Sequence, residues 1–230
     1  MVGNFENGMK PYLNILLGAV LLIMACNNDK TPSAKTNDAA GERDSAVKKK
    51  TIVFFGNSLT AGYGLSPSQA FPALIQIKID SLGLPYKVVN AGVSGETSTG
   101  GNARIDWILK QPLDIFVLEL GANDGLRGIP LTQTKESLQS IIDKVKAEYP
   151  SAKLMLAGME IPPNMGRAYT TEFKNIYSAL AEKNKMVLIP FLLEGVGGEE
   201  KLNQEDGIHP TAEGHKIVAE NLWKELKSLL

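Results

Sequence analysis

Two short segments of this chain carry the residue types needed for nucleophilic catalysis. Ser58 stands in Gly-Asn-Ser-Leu-Thr, directly after an apolar run, and His209 stands in Asp-Gly-Ile-His-Pro near the C-terminus. Serine is a weak nucleophile unless a base accepts its proton, and histidine is the usual base. Asp206, three residues before His209, can orient the imidazole and stabilise the imidazolium. These residues predict acyl transfer by a Ser-His-Asp triad, although a serine in this position also suits a helix N-cap.

The chain contains a second histidine, His215. It falls inside the helical pattern at the C-terminus, and we expect it on the surface of that helix. His209 lies in a loop before this pattern and is therefore the predicted base.

Two further loops carry groups suited to holding an oxyanion. Asn123 stands in Gly-Ala-Asn-Asp-Gly, where its side-chain N–H can point at a developing negative charge, although asparagine is also a common turn residue. Gly95 stands in Gly-Val-Ser-Gly-Glu, and a glycine presents its backbone N–H without a side chain in the way. Removing one side-chain donor from an oxyanion hole typically costs about 10²–10³ in rate.

The elements that must position these residues follow from five short apolar runs, at residues 51–55, 87–90, 114–120, 153–158 and 186–191. Continuous apolar runs of this length suit strands that are buried on both faces. Segments with apolar residues near helical spacing lie between and after them, at 71–82, 102–110, 132–148, 168–185 and 211–229. This alternation predicts one α/β domain over residues 50–230, a three-layer α/β/α sandwich around a central parallel five-stranded sheet.

Ligands of such sheets bind outside the carboxyl ends of the strands. The loops that follow the five runs are residues 56–70, 91–101, 121–130, 159–167 and 192–210. Four of these loops hold the candidate residues named above. The sequence therefore predicts that these residues meet at one edge of the sheet.

Four segments in this order, GNSLTAGYGL, NAGVSGETS, ELGANDGLRG and DGIHP, resemble the four ordered blocks of the SGNH (GDSL-like) hydrolases. The branch they resemble most contains bacterial periplasmic acyl-CoA thioesterases/lysophospholipases and arylesterases, and the likeness runs from about residue 51 to the C-terminus. It implies a flavodoxin-like fold, Ser58 as nucleophile, and His209 and Asp206 as the rest of the triad. It also implies oxyanion donors from the backbone N–H of Ser58, the backbone N–H of Gly95 and the side chain of Asn123, with no cofactor and no metal ion.

One position departs from the usual family pattern. Where the family has Gly-Asp-Ser-Leu, this chain has Gly-Asn-Ser-Leu. Asn57 keeps a hydrogen-bond acceptor but removes a charge beside Ser58. We expect this change to affect pH behaviour and loop hydrogen bonding, not the mechanism. In the loop 160–167, Ile161, Pro162 and Met165 are candidates for an acyl groove, and the same segment also reads as a proline-stiffened connector.

The predicted function is a serine esterase that hydrolyses carboxylic esters or thioesters of short to medium acyl chains. Two alternatives stay open: a carbohydrate O-deacetylase of the same superfamily, and a non-catalytic lipid- or glycan-binding lipoprotein. The nucleophile elbow of α/β-hydrolases is excluded because Thr60 stands where its last glycine belongs. The formal net charge of −1 gives no sign of a nucleic-acid partner, and nothing in the sequence indicates the oligomeric state.

The N-terminus is interpreted as a targeting region. Residues 13–25 are mostly apolar but fall short of the ~20 residues that a transmembrane helix needs, so they suit the apolar core of a secretory signal. The residues before Cys26 resemble a bacterial lipobox, which implies a signal peptide over 1–25, a lipidated Cys26 and a flexible tether over 26–49. The chain is thus predicted to be exported and held on a cell-envelope membrane, with an uncleaved anchor or ordinary cleavage as alternatives. Met9 is an alternative start to Met1.

Overall fold

The computed structural model describes residues 48–230. The predicted signal peptide, Cys26, Met9 and almost all of the tether lie outside the described residues. Within the described range, no helix combines the length and apolar content required to cross a membrane.

The centre of the domain is a parallel sheet of five strands in the order β2-β1-β3-β4-β5. The strands are β1 (Lys50–Gly56), β2 (Tyr86–Gly92), β3 (Ile115–Glu119), β4 (Lys153–Ala157) and β5 (Val187–Ile189). Each corresponds to one of the five apolar runs, and the structure confirms the predicted parallel sheet.

Helices cover both faces of this sheet. They are α1 (Ser58–Ala61), α2 (Phe71–Ser81), α3 (Ser98–Ile108), α4 (Ala122–Leu126), α5 (Leu131–Glu148), α6 (Arg167–Asn184) and α7 (Ala212–Leu226). Helix α2 packs against α7, whereas α5 packs against both α3 and α6. These two groups form the outer layers of the predicted α/β/α sandwich.

Strand β1 shows why the predicted runs are apolar throughout. Phe54 packs edge-on against Phe71 of α2 with ring centroids 5.6 Å apart, and Phe55 packs against Phe116 of β3 at 5.6 Å. Neighbouring side chains of a strand point to opposite faces. A strand covered by helices on both sides therefore needs apolar residues at consecutive positions.

Helix α3 begins at Ser98, four residues before the predicted start at 102. The side chain of Thr97 caps it by accepting a hydrogen bond from the N–H of Gly100 at 3.2 Å. Two glycines near its start, Gly100 and Gly101, disfavour a helix in the sequence, but Gly101 has a packing role because a Cβ there would collide with Leu120.

The predicted surface position of His215 is wrong. Its side chain is only 1% exposed, and its Nδ1 accepts a hydrogen bond from the N–H of Phe71 at 3.1 Å. Phe71 is the first residue of α2, and Ala70 before it has no side chain able to cap the helix. His215 supplies that acceptor from α7. Burial lowers the pKa of His215 to about 4, so the ring stays neutral at physiological pH.

Candidate active site

The predicted nucleophile lies at the carboxyl end of β1. Ser58 is the first residue of α1, and the Oδ1 of Asn57 caps this short helix by accepting from the N–H of Leu59 at 2.9 Å. The helix ends at Gly62, whose φ of 76° is in the left-handed region that favours glycine. We refer to residues 57–62 as the nucleophile turn.

The structure brings the three predicted triad residues into hydrogen-bonding distance. The Nε2 of His209 lies 2.9 Å from the Oγ of Ser58, and its Nδ1 lies 2.6 Å from the Oδ2 of Asp206. Ser58 and His209 are 151 residues apart in the chain. The arrangement is that of a hydroxyl with its base and the group that orients the base.

Asp206 is fixed by its own turn. Its Oδ1 accepts from the N–H groups of Ile208 at 2.9 Å and His209 at 3.0 Å. The hydrogen bond to the side chain of His209, with support from these two N–H groups, lowers the pKa of Asp206 to about 2. Asp206 is therefore an anion beside the imidazole at any pH near neutral.

Gln204 joins the histidine loop to the nucleophile loop. Its N–H donates to the carbonyl of His209 at 2.7 Å, and its Nε2 donates to the carbonyl of Tyr63 at 2.8 Å. The ring of Tyr63 lies 4.6 Å from the ring of His209. Sequence reasoning missed both residues, because nothing in their local patterns points across the 141 positions that separate them.

The three predicted oxyanion donors come from three loops at the same edge. The N–H of Ser58 has no intrahelical acceptor because Ser58 begins a helix. The Nδ2 of Asn123 donates to the carbonyl of Glu96 at 3.0 Å, which links its loop to that of Gly95. An amide nitrogen carries two hydrogens, so one N–H of Asn123 is left for a substrate oxygen. The carbonyl of Gly95 is held by Arg127 at 3.0 Å.

Comparison with known proteins decides the family. Residues 54–217 match the GDSL-like lipase/acylhydrolase family. The chain belongs to this family. It is 43% identical to esterase TesA of Pseudomonas aeruginosa over 182 residues, covering 79% of this chain and 90% of that protein. It is 40% identical to thioesterase 1/protease 1/lysophospholipase L1 of Escherichia coli K12 over 186 residues, covering 80% and 87%. A crystal structure of TesA superimposes with a TM-score of 0.76 at 43% identity, covering 79% of this chain and all of the other.

Membership of the acylhydrolase family confirms the predicted family and enzyme class, a hydrolase acting on ester bonds. The fold prediction is confirmed as well, because the sheet and its helical layers match those of a solved family member.

A half-buried ion pair supports the glycine loop of this acylhydrolase. Arg104 of α3 contacts Glu96 with two short hydrogen bonds of 2.6 Å. The same guanidinium donates to the carbonyl of Ala91 at 2.8 Å and lies 4.0 Å over the ring of Phe55. It therefore ties the end of β2 to the loop that carries Gly95.

A buried carboxylate supports the loop of Asn123. Asp124 is fully buried and accepts from the N–H of Ser98 at 2.8 Å, from the Oγ of Ser98 at 2.5 Å and from Thr134 at 3.3 Å. Asp124 thereby fixes α4 against α3 and α5. A buried carboxylate with several donors is costly to disturb.

Beside Ser58 the acylhydrolase has an open cavity of about 460 Å³. Its lining is mostly apolar and includes Leu59, Leu126, Met159, Ile161, Pro162, Phe191, Leu193 and Ile208, together with the polar residues Asn57, Ser58, Asn123, Glu160, Asn203 and His209. Two of the three predicted groove residues, Ile161 and Pro162, line it.

Met165 does not line the cavity. The chain forms a 3₁₀ turn over Pro163–Met165, and Met165 is exposed, with its methyl group near Gly128. Gly95 does not line the cavity either, although hydrogen bonds connect its loop to Asn123 and Arg127. Among residues 48–230, no group of three or more His, Cys, Asp and Glu side chains could hold a metal ion.

Proposed function

We propose that this protein hydrolyses carboxylic esters or thioesters of short to medium acyl chains, with Ser58 as nucleophile and an acyl-enzyme intermediate. The observation that carries the proposal is the 2.9 Å contact between the Oγ of Ser58 and the Nε2 of His209 in the lining of a mainly apolar cavity.

In the first half-reaction His209 accepts the proton of Ser58 at Nε2 while the Oγ attacks the carbonyl carbon. The electron pair of the C=O bond moves to the carbonyl oxygen, which the N–H groups of Ser58 and Gly95 and the amide of Asn123 stabilise. The imidazolium is stabilised by Asp206, which is already an anion. His209 then returns the proton to the leaving oxygen or sulfur as its bond to the acyl carbon breaks.

In the second half-reaction water takes the place of the leaving group. His209 accepts one water proton, and the resulting hydroxide oxygen attacks the acyl carbon of the Ser58 ester. When this tetrahedral intermediate collapses, the carboxylic acid leaves and the proton on His209 returns to the Oγ of Ser58. The enzyme regains its starting state with no net change in protonation.

The cavity supports an apolar acyl group rather than a sugar. Its volume falls in the range of ~300–1,000 Å³ that is usual for small-molecule sites, and its wall beyond Ser58 is made largely of aliphatic and aromatic side chains. Among the described residues, no lysine or arginine lines the cavity, and its one carboxylate, Glu160, forms an ion pair with Lys174. We infer that the acyl chain enters the cavity and that a charged head group stays outside it.

A chain-length series on p-nitrophenyl esters tests this placement of the acyl chain. Ile161 is buried in the cavity wall, so Ile161→Trp is expected to shorten the cavity. We expect kcat/KM for octanoate and dodecanoate esters to fall about tenfold or more while acetate hydrolysis changes little, because long chains lose apolar contacts.

Met165→Trp is the matched control, because Met165 lies in the same loop but outside the cavity. It should leave the chain-length profile unchanged. An equal loss for all chain lengths in Ile161→Trp would contradict an acyl site there. Faster hydrolysis of acetylated sugars than of any p-nitrophenyl ester would favour the O-deacetylase alternative.

We also propose that the chain is exported and anchored to a membrane of the cell envelope through a lipidated Cys26. The support is the apolar run at 13–25 that ends at this cysteine. Cys26→Ser should move the protein from the membrane fraction to the soluble fraction without changing the esterase activity of the domain. Unchanged membrane association in this variant would reject the lipid anchor.

A further inference from the structure

A buried carboxylate that the mechanism does not use lies beneath the nucleophile turn. Glu119 is the last residue of β3 and is paired in register with Gly56 of β1. It is 1% exposed and follows four buried apolar residues of its strand. An ionisable group in such a place is costly unless it has partners.

The nucleophile turn supplies hydrogen-bond donors to both oxygens of Glu119. Its Oε2 accepts from the N–H of Asn57 at 3.1 Å and from the Oγ1 of Thr60 at 2.7 Å, and its Oε1 accepts from the Nδ2 of Asn57 at 2.8 Å. Burial raises the pKa of Glu119 to about 7, and these hydrogen bonds oppose the shift. The ionised carboxylate satisfies all three donors because it accepts at both oxygens.

Both the oxygen and the nitrogen of the Asn57 side-chain amide form hydrogen bonds. The Oδ1 caps α1 by accepting from Leu59, and the Nδ2 donates to Glu119. An aspartate in this place would set one carboxylate oxygen against another at the distance of the present 2.8 Å hydrogen bond. Two carboxyl groups that close must share a proton. The amide at 57 therefore donates to Glu119 without competing with it for a proton.

We propose that Glu119 is a positioning residue for Ser58, and that its pair with Asn57 fixes the nucleophile turn at the distance from His209 that acyl transfer requires. The proposal rests on the proposed role of Ser58. Ser58 lies between the two anchored residues of the turn, Asn57 and Thr60, so a shift of either anchor displaces its Oγ relative to His209.

Glu119→Gln tests the pair without changing side-chain size. In either orientation the new amide N–H₂ faces a donor, either the Nδ2 of Asn57 or its backbone N–H. We expect kcat to fall about 10- to 100-fold, because the unpaired donor displaces the turn and with it the Oγ of Ser58, and a misplacement of ~1 Å can cost about 10²-fold in rate. KM should change less than about threefold, because the variant disturbs the geometry needed in the transition state and leaves the contacts that bind the substrate intact.

The double variant Asn57→Asp/Glu119→Gln exchanges the two functional groups. The aspartate can cap Leu59 with one oxygen and accept from the new amide with the other, and the amide oxygen can still accept from the turn. We expect kcat to return to within about threefold of wild type, a coupling typical of residues in one hydrogen-bond network. A double variant no more active than Glu119→Gln, or a Glu119→Gln variant with wild-type kcat, would overturn the proposal.

Asp124→Asn is the matched control, because Asp124 is an equally buried carboxylate that holds α3 and α5 instead of the nucleophile turn. Asn57→Asp should not rescue it. Rescue of both variants would reveal a general effect of Asn57→Asp and reject a specific pair.

Amide hydrogen exchange across residues 57–62 provides a readout that does not depend on turnover. Glu119→Gln should speed exchange of this segment relative to wild type, and the double variant should restore its protection. Unchanged exchange in Glu119→Gln would contradict the proposal even if activity fell. Absence of ester hydrolysis by the wild type would instead reject the proposed function and leave the exchange result to decide on Glu119.

Discussion

Ser58→Ala is expected to lower kcat for ester hydrolysis by at least ~10⁴-fold. The change removes the only atom that bonds to the acyl group, and the oxyanion donors that remain accelerate attack by water only weakly. Folding should not suffer, because the cap of α1 comes from Asn57 and the hydroxyl of Ser58 makes no contact that holds the sheet together. Steady-state kinetics and a thermal melt of the same sample separate the two effects.

The matched control for this experiment is Ser68→Ala, an exposed serine ten residues further along the same loop. It should have wild-type kcat. A Ser58→Ala variant that retains turnover near the wild-type rate would reject Ser58 as nucleophile.

Asp206→Asn is expected to lower kcat by about 10³–10⁴-fold at neutral pH. Asp206 accepts at 2.6 Å from the Nδ1 of His209, which keeps the lone pair of Nε2 directed at Ser58. An asparagine amide can donate to Nδ1 instead, and the proton then sits on Nε2, where it blocks the base. KM should change much less than kcat, because Asp206 is not in the wall of the acyl cavity.

The pH dependence follows from the pKa of about 2 for Asp206, which lies below its ordinary value of 3.8. A lowered pKa in the folded state means that the ionised form is stabilised by folding, and this contribution is lost only as the pH falls from about 4 towards 2. Asp206 should therefore stay ionised over the whole range of pH 5 to 9, and the loss of kcat in Asp206→Asn should persist across it. Glu205→Gln, which removes the neighbouring exposed charge, is the control; a loss of less than tenfold in Asp206→Asn would contradict the orienting role.

The fold was largely predictable because a strand that is buried on both faces appears in the sequence as a continuous apolar run. A strand covered on both faces is apolar at consecutive positions, as the pairs of Phe54 with Phe71 and Phe55 with Phe116 show. The parallel order then brings the loops after the strands to one edge, so residues 151 positions apart could be expected to meet.

The errors arose where a residue's role depends on a distant element. The helical pattern predicts His215 on a helix surface, but the first turn of α7 faces α2, where the backbone N–H of Phe71 needs an acceptor. Met165 was expected in the acyl groove, but the 3₁₀ turn directs it outwards. Neither relation is visible in the local pattern.

The sequence contains a signal for Glu119 that the sequence analysis does not use. It is the one charged residue within the buried strand Ile115–Glu119. A carboxylate in a fully buried strand needs donors nearby, and the register of β3 with β1 places it beside the turn that begins at Asn57. Asn57, where the chain departs from the family pattern, donates one of the hydrogen bonds that Glu119 accepts.

Labelling with a fluorophosphonate probe, followed by peptide mapping, tests the central claim most directly. The account predicts one adduct per chain on Ser58, loss of esterase activity in proportion to labelling, and labelling slowed by about 10³-fold or more in His209→Ala, since the serine then lacks its base. An adduct on another residue, or full activity in protein that is completely labelled at Ser58, would contradict it.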